Sequence, residues 1–234
     1  MPAVTKLVAL LGQPVADSLS PVMQNAAFEA ARLRDWHYVA REVSSADFEG
    51  VVGGLRAVGF VGANVTIPHK LAAAALCDEA EGESVNTLVF DGERTLGFNT
   101  DREILAGIDS ECVCLIGDGG AARALKPALR GEVRVFSRSG VWPPDATGCD
   151  LIVNATPVRD ELLVDPRAGQ AVVDLAYRSD GRGTALVAAA RSAGCDPVID
   201  GLEALVRQGA ASFERWTGLP APLEAMRAAV RSPT

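Results

Sequence analysis

Two hydrophobic periodicities alternate along the chain. Short apolar runs bounded by glycine, proline or polar residues predict strands, and segments with apolar positions every three or four residues predict helices. In the first part KLVALLG predicts a strand from Lys6 through Leu11. SPVMQNAAFEAARL follows as a helix, WHYVAREV as a strand, DFEGVVGGLRAVG as a helix and GANVTI as a buried strand. Ser20 before Pro21 marks a helix start, with the hydroxyl as N-cap and proline at the first helical position, and Asp47 is placed to cap the next helix similarly. SVNTLVF and TLGFNT flank Asp91-Gly92 and predict a hairpin. In NVTIPHK, Val65 and Ile67 are expected in the core, Thr66 on the opposite face, Asn64 serving the local turn, and Pro68 ending the strand.

Past residue 102 the strands become more continuously apolar: CVCLIG, EVRVFSR, DLIVNAT, AVVDLAY and a short DPVID. Helical stretches GGAARALKPALR and TALVAAARSAG separate them, the second closed by Gly194, and SGVWPPDATG is the one clear loop. Strands alternating with helices indicate a doubly wound parallel sheet. The tail, GLEALVRQGAASFERWTG and PLEAMRAAV, is amphipathic and helical. The fold class is therefore α/β, an N-terminal α/β domain with some antiparallel character followed by a Rossmann-type domain.

Composition narrows the chemistry. Hydrophobic residues make up 48% of 234, enough for a sizeable core, and the net charge of −8 argues against nucleic acid as a partner. No apolar stretch is long enough to span a membrane, and the first residues lack the pattern of a signal peptide. Five scattered cysteines, two histidines and no CxxC pair argue against a zinc site or a disulfide framework, so free thiols in a cytoplasmic protein are expected and no metal.

IGDGGAAR follows a strand and opens a helix, the context that makes a glycine pattern informative. Gly117 suits a tight turn, Gly119 and Gly120 let backbone approach a pyrophosphate, and Ala121 is a small residue for close helix–strand packing. About 20 residues on, where an acid would hold a ribose 2′-hydroxyl, the chain reads Ser137-Arg138-Ser139, and an arginine between hydroxyls suits a 2′-phosphate. NADP is thus favoured over NAD. Asp118 stands inside the turn, where a carboxylate facing the ligand repels phosphate.

Together the segments GQPVADSLSPVMQNAAF, GANVTIPHK, SVNTLVF, GFNTD, IGDGGAARA, DLIVNATPV, VVDLAY and VIDGLEALVRQGAASFERWTG resemble shikimate dehydrogenases over nearly the whole chain. The chain is shorter than is usual, with apparent deletions after Cys77, before Cys112 and after Arg138. The resemblance implies reversible NADP-dependent reduction of 3-dehydroshikimate to shikimate. It implies a substrate domain of residues 1–101 completed by 201–234, an NADP domain of residues 102–200, and a cleft between them. Lys70 matches the catalytic lysine and Asp101 its partner. Ser18 and Ser20 match hydroxyls for the substrate carboxylate, Thr66, Asn86 and Gln208 match substrate-binding positions, and Tyr177 one near substrate and nicotinamide. Thr156, in NATPV, falls on the cofactor side with the glycine turn. Lys70 either moves the proton itself or stays charged against a developing alkoxide; His69 is expected to be structural.

Departures from the family pattern gather on the cofactor side: Asp118, Ser137-Arg138-Ser139, and Arg159-Asp160 where Gly-Met is usual. Asp17 and Gln24 stand where histidines are usual, and Arg102 where glycine is. Weakened NADP binding is the expectation these raise. Quinate or aminoshikimate is the nearest alternative substrate, serine at position 20 leaning toward shikimate. A non-catalytic shikimate-binding protein is the alternative from another class. A monomer or homodimer is expected.

Overall fold

KLVALLG forms β1 (Lys6–Gly12), its central residues fully buried. In the computed structural model, which describes residues 5–178, 180 and 182–232, the chain continues through α1 (Ser20–Ala30), β2 (Trp36–Glu42), α2 (Phe48–Ala57) and β3 (Gly62–Val65). Next come α3 (Lys70–Ala75), β4 (Glu79–Ala80), and a hairpin of β5 (Thr87–Asp91) and β6 (Arg94–Phe98). The sheet order is β2-β1-β3-β5-β6-β4; β1 pairs in parallel with β2 and β3, and β5 runs antiparallel to β3 and β6. Residues Met1–Asp101 and Val206–Val230 make up this unit; Arg102–Leu205 and Arg231–Thr234 make up a second.

The second unit contains β7 (Cys112–Ile116), α4 (Gly120–Leu125), β8 (Glu132–Phe136), β9 (Leu151–Asn154), β10 (Ala171–Asp174), α5 (Ala185–Ala193) and β11 (Val198–Ile199). Its five strands are all parallel, in the order β11-β10-β9-β7-β8. Alternate residues of these strands pack on opposite faces, so both faces carry a core, as a doubly wound sheet requires. Val113, Leu115 and Val153 meet Ala122 and Leu125 of α4 on one side. Cys112, Cys114 and Ile152 meet Leu186 and Ala190 of α5 on the other, the two cysteines sharing a face as their alternation predicts. Burial pushes the Cys114 and Cys149 thiols up to about 12, which leaves them without thiolate character at neutral pH. α6 (Gly201–Thr217) begins in the second unit and runs into the first, followed by α7 (Leu223–Arg231).

The aromatic residues explain how α6 is held in the first unit. Phe213 meets Phe28 of α1 at 5.6 Å between centroids, and Phe28 meets Trp36 at 5.3 Å. Trp216 Nε1 donates to the Leu88 carbonyl at 2.9 Å, passing over Gly62, where a Cβ would lie 2.1 Å from that oxygen. Only glycine permits the indole to reach the sheet backbone there.

Three local expectations are corrected. α1 starts at Ser20 with Leu19 at its N-cap, and the Ser20 N–H donates to Ser18 Oγ at 3.2 Å, so the hydroxyl serving this helix start belongs to Ser18. Asp47 does occupy the α2 N-cap, but its helical backbone aims the carboxylate away from the helix amides and it accepts from Ser44 Oγ at 2.6 Å instead. β3 ends at Val65, before Pro68, and Ile67 is 53% exposed. His69 enters the core in its place, its ring stacked on Phe48 at 4.5 Å and its Nε2 2.8 Å from the Val43 carbonyl oxygen.

Candidate active site

Lys70 is the first residue of α3, and Asp101 lies in a 3₁₀ segment directly after β6. Their side chains meet with Nζ 2.5 Å from Oδ2 and are 18% and 12% exposed. The other carboxylate oxygen, Oδ1, accepts from Asn86 Nδ2 at 2.8 Å. Asn86 is itself fixed, because its Oδ1 accepts from the Thr100 N–H at 2.9 Å and from the hydroxyls of Thr87 and Thr100. The hairpin makes this possible: Thr87 pairs with Phe98, so Asn86 and the NTD segment leave the ladder side by side. An Asp carboxylate held on both oxygens has little rotamer freedom, and the ammonium it faces is correspondingly placed.

The polar network continues beneath this pair. Thr87 Oγ1 and Ser212 Oγ are 2.8 Å apart, and Asn64 Nδ2 lies within hydrogen-bond distance of the Asn86 carbonyl, Thr87 Oγ1 and Ser212 Oγ. Tyr38 donates its hydroxyl to Asn64 Oδ1 at 2.8 Å, and the Ser20 hydroxyl faces Tyr38. Burial raises the Tyr38 phenol far above its ordinary range. A continuous set of hydrogen bonds therefore joins Lys70 to Tyr38 through Asp101, Asn86 and Asn64, with Ser212 of α6 attached to it. Asn64 is its hub and not a turn residue. Tyr38, Thr87, Thr100 and Ser212 escaped sequence reasoning; the available signal for Tyr38 and Thr87 was a polar group on the buried side of a strand, while Thr100 and Ser212 lie in a 3₁₀ segment and in α6.

Of the other candidate substrate residues, Ser18, Thr66 and Gln208 belong to the same unit and are half-buried, while Ser20 is buried. Ser18 accepts the Ser20 N–H, which leaves its hydroxyl hydrogen to donate elsewhere. The Gln208 carbonyl accepts from Ser212 Oγ at 3.1 Å, which places Gln208 one helical turn before that residue. Gln24, fully buried, donates to the Gly209 carbonyl at 2.9 Å and ties α1 to α6. Tyr177 lies in the second unit, just beyond β10, half-buried.

In the second unit the glycine turn has the expected form. Gly117 has φ +110°, and a Cβ there would sit 3.1 Å from the Ala155 carbonyl oxygen, so glycine is required. Gly119 precedes α4, Gly120 opens it, and the space beside Gly119 is clear. Ala122, not Ala121, packs against β7, because it is the residue on the inward face of this short helix. Thr156 donates to Asn154 Oδ1 at 2.7 Å and shapes the turn after β9. Arg159 and Asp160 are exposed, with Asp160 ion-paired to Arg178. Asp118 turns its carboxylate toward the end of β8, where Oδ2 accepts from Ser139 Oγ at 2.9 Å. The Ser139 hydroxyl, then that of Ser137, holds the Asp118 carboxyl below the usual carboxylate range. A backbone open at Gly119 and a strand end carrying Arg138 fit a dinucleotide phosphate chain, with Asp118 the exception.

Comparison with known proteins gives the family. Residues 10–88 match the model of the shikimate dehydrogenase substrate binding domain, and residues 201–231 that of the shikimate 5′-dehydrogenase C-terminal domain. A shikimate dehydrogenase (NADP⁺) of Methanopyrus kandleri is 37% identical, covering 97% of this chain and 96% of that protein. One from Rubrobacter xylanophilus is 38% identical over 97% and 95%. The structure of shikimate 5-dehydrogenase from Thermus thermophilus, in complex with NADP(H) and shikimate, superposes with a TM-score of 0.83 at 32% identity, covering 97% and 99% of the two chains. With this similarity along its whole length, the chain belongs to the shikimate dehydrogenase family of NADP-dependent oxidoreductases.

Proposed function

We propose that the chain catalyses the reversible NADP-dependent reduction of 3-dehydroshikimate to shikimate. The observation that carries this reading is the Lys70–Asp101 pair, locked by Asn86 in the unit that resembles the substrate-binding domain. The glycine turn from Gly117 to Ala121 and the Ser137-Arg138-Ser139 segment would hold the cofactor, with Thr156 shaping the adjacent loop. When bound, NADP carries the hydride.

The protein's own task is then the proton. Reduction of a ketone places negative charge on oxygen, and oxidation of the alcohol releases a proton from it. Lys70 supplies the cation and donor at that oxygen, and Asp101 orients it. Ser18 and Ser20 take the substrate carboxylate, Ser18 through its uncommitted hydroxyl hydrogen. Thr66, Gln208 and the second amide hydrogen of Asn86 address the ring hydroxyls, and Tyr177 of the nucleotide unit is the residue proposed near the nicotinamide. The Lys70 network runs unbroken to Tyr38, so lysine placement is fixed by buried hydrogen bonds rather than by mobile loops. The same reading places the enzyme in the cytoplasm as a monomer or homodimer.

Absorbance of the reduced nicotinamide, followed with shikimate and NADP, tests this directly. Wild-type protein should turn over, and Lys70→Ala should lose about 10²- to 10⁴-fold in kcat, the ordinary worth of a positioned proton-transfer group. Equal turnover in both proteins refutes the role of Lys70. Faster turnover of quinate or an aminoshikimate would move the substrate assignment. Shikimate binding without turnover would favour the non-catalytic reading, to which the position of Asp118 lends weight.

A further inference from the structure

The second strand of a dinucleotide-binding sheet ends where the adenine ribose is read. A carboxylate there accepts from a 2′-hydroxyl, whereas arginine and hydroxyl donors receive a 2′-phosphate. This chain has both. Ser137, Arg138 and Ser139 follow β8, and the Asp118 carboxylate reaches them from the glycine turn, with Oδ2 2.9 Å from Ser139 Oγ. Ser137 Oγ lies 3.1 Å from Ser139 Oγ. Since Ser139 gives its single hydroxyl hydrogen to the carboxylate, Ser137 donates to Ser139, and both serine donors are already committed. Arg138 is directed elsewhere, its guanidinium 5.6 Å above the Trp142 ring and 3.8 Å from Glu161 Oε2. Arg123 donates from Nε to the Asp118 backbone carbonyl at 3.2 Å rather than to the carboxylate, and acts on the carboxylate only through its charge.

We propose that Asp118 is a specificity-determining residue for the dinucleotide: its carboxylate, held by Ser139, accepts an unphosphorylated ribose and opposes a 2′-phosphate at the same strand end, so the protein takes NAD alongside NADP. The proposal rests on the dehydrogenase reading. Removing the carboxylate releases the Ser139 hydroxyl donor and a like charge together, which selectively favours the phosphorylated dinucleotide. Asp118 is exposed and outside the sheet, so its substitution leaves the core intact.

Isothermal titration of the full chain with NAD and with NADP, without shikimate, reads this independently of turnover. Wild-type protein should bind the two within about tenfold of each other, and Asp118→Asn and Asp118→Ala should each shift the ratio toward NADP by about tenfold, through tighter NADP binding. Arg138→Ala should weaken NADP and leave NAD unchanged. A strong NADP preference that both Asp118 variants leave unmoved overturns this proposal alone. Binding of neither dinucleotide overturns it together with the dehydrogenase reading, so the two failures are distinct.

Discussion

Asn86 Nδ2 donates to Asp101 Oδ1 at 2.8 Å, on the carboxylate oxygen opposite the one that faces Lys70. On the proposed function, Asn86 acts on the reaction through Asp101 as well as binding substrate. Asn86→Ala releases the carboxylate from one side and deprives Thr87 and Thr100 of their shared acceptor. Loss of positioning of this kind costs about a hundredfold in kcat. Steady-state kinetics on folded variant, checked by circular dichroism, should show kcat falling more than KM rises. A change confined to KM would mean that Asn86 serves only to bind substrate.

Asn64 carries a structural load. Its amide serves the Tyr38 hydroxyl, the Asn86 carbonyl, Thr87 Oγ1 and Ser212 Oγ, all buried. Asn64→Ala orphans several of these at once, and the expected destabilisation is about 3 kcal/mol, against about 1 kcal/mol for Ser212→Ala. Urea denaturation of the two variants measures the difference. Equal, small losses would show that water replaces the asparagine without penalty.

How far the sequence could be read follows from the range of each interaction. Strands such as CVCLIG and the Asp91-Gly92 hairpin were legible because burial and turn chemistry act over neighbouring residues. Ile67 was misread because alternation assumes the strand continues, while β1 runs out at Gly12 and the core position passes to His69. The capping role passes from Ser20 to Ser18 because the helix starts one residue earlier than its sequence signal, with Leu19 at the N-cap. The Asn64 hub could not be read, since Ser212 lies 148 residues away. Nor could the direction of Asp118, which depends on a side-chain rotamer and a partner 21 residues later.

Two glycines give a paired test of close approach against chain entropy. Gly62→Ala places a Cβ 2.1 Å from the Leu88 carbonyl oxygen and 2.5 Å from Trp216 Nε1, displacing the bond that ties α6 to the sheet. The expected loss is about 3 kcal/mol, with altered Trp216 fluorescence. Gly53→Ala, in the interior of α2 with nothing within 4 Å of its Cβ, should instead stabilise by about 0.5–1 kcal/mol. Denaturation midpoints that moved in the same direction for both would contradict the packing at Gly62.

Asp174, at the end of β10, is fully buried and accepts from Thr184 Oγ1 at 2.5 Å, Asn154 Nδ2 at 2.9 Å and the Ala176 N–H at 3.0 Å. Burial raises its carboxyl above the ordinary value, although the three donors oppose the shift. A carboxyl raised in the folded state keeps its proton where the unfolded chain has lost it. Its contribution to stability is thus greatest below the unfolded value and is lost as pH rises through the folded one. Asp174→Asn lacks this titration. The stability of the variant relative to wild type should accordingly rise as pH increases from about 4 up through the raised folded-state value, whatever constant offset the amide introduces at Thr184. Urea unfolding of both proteins across that interval measures the difference, and a relative stability that fell with pH would show that the donors outweigh burial at Asp174.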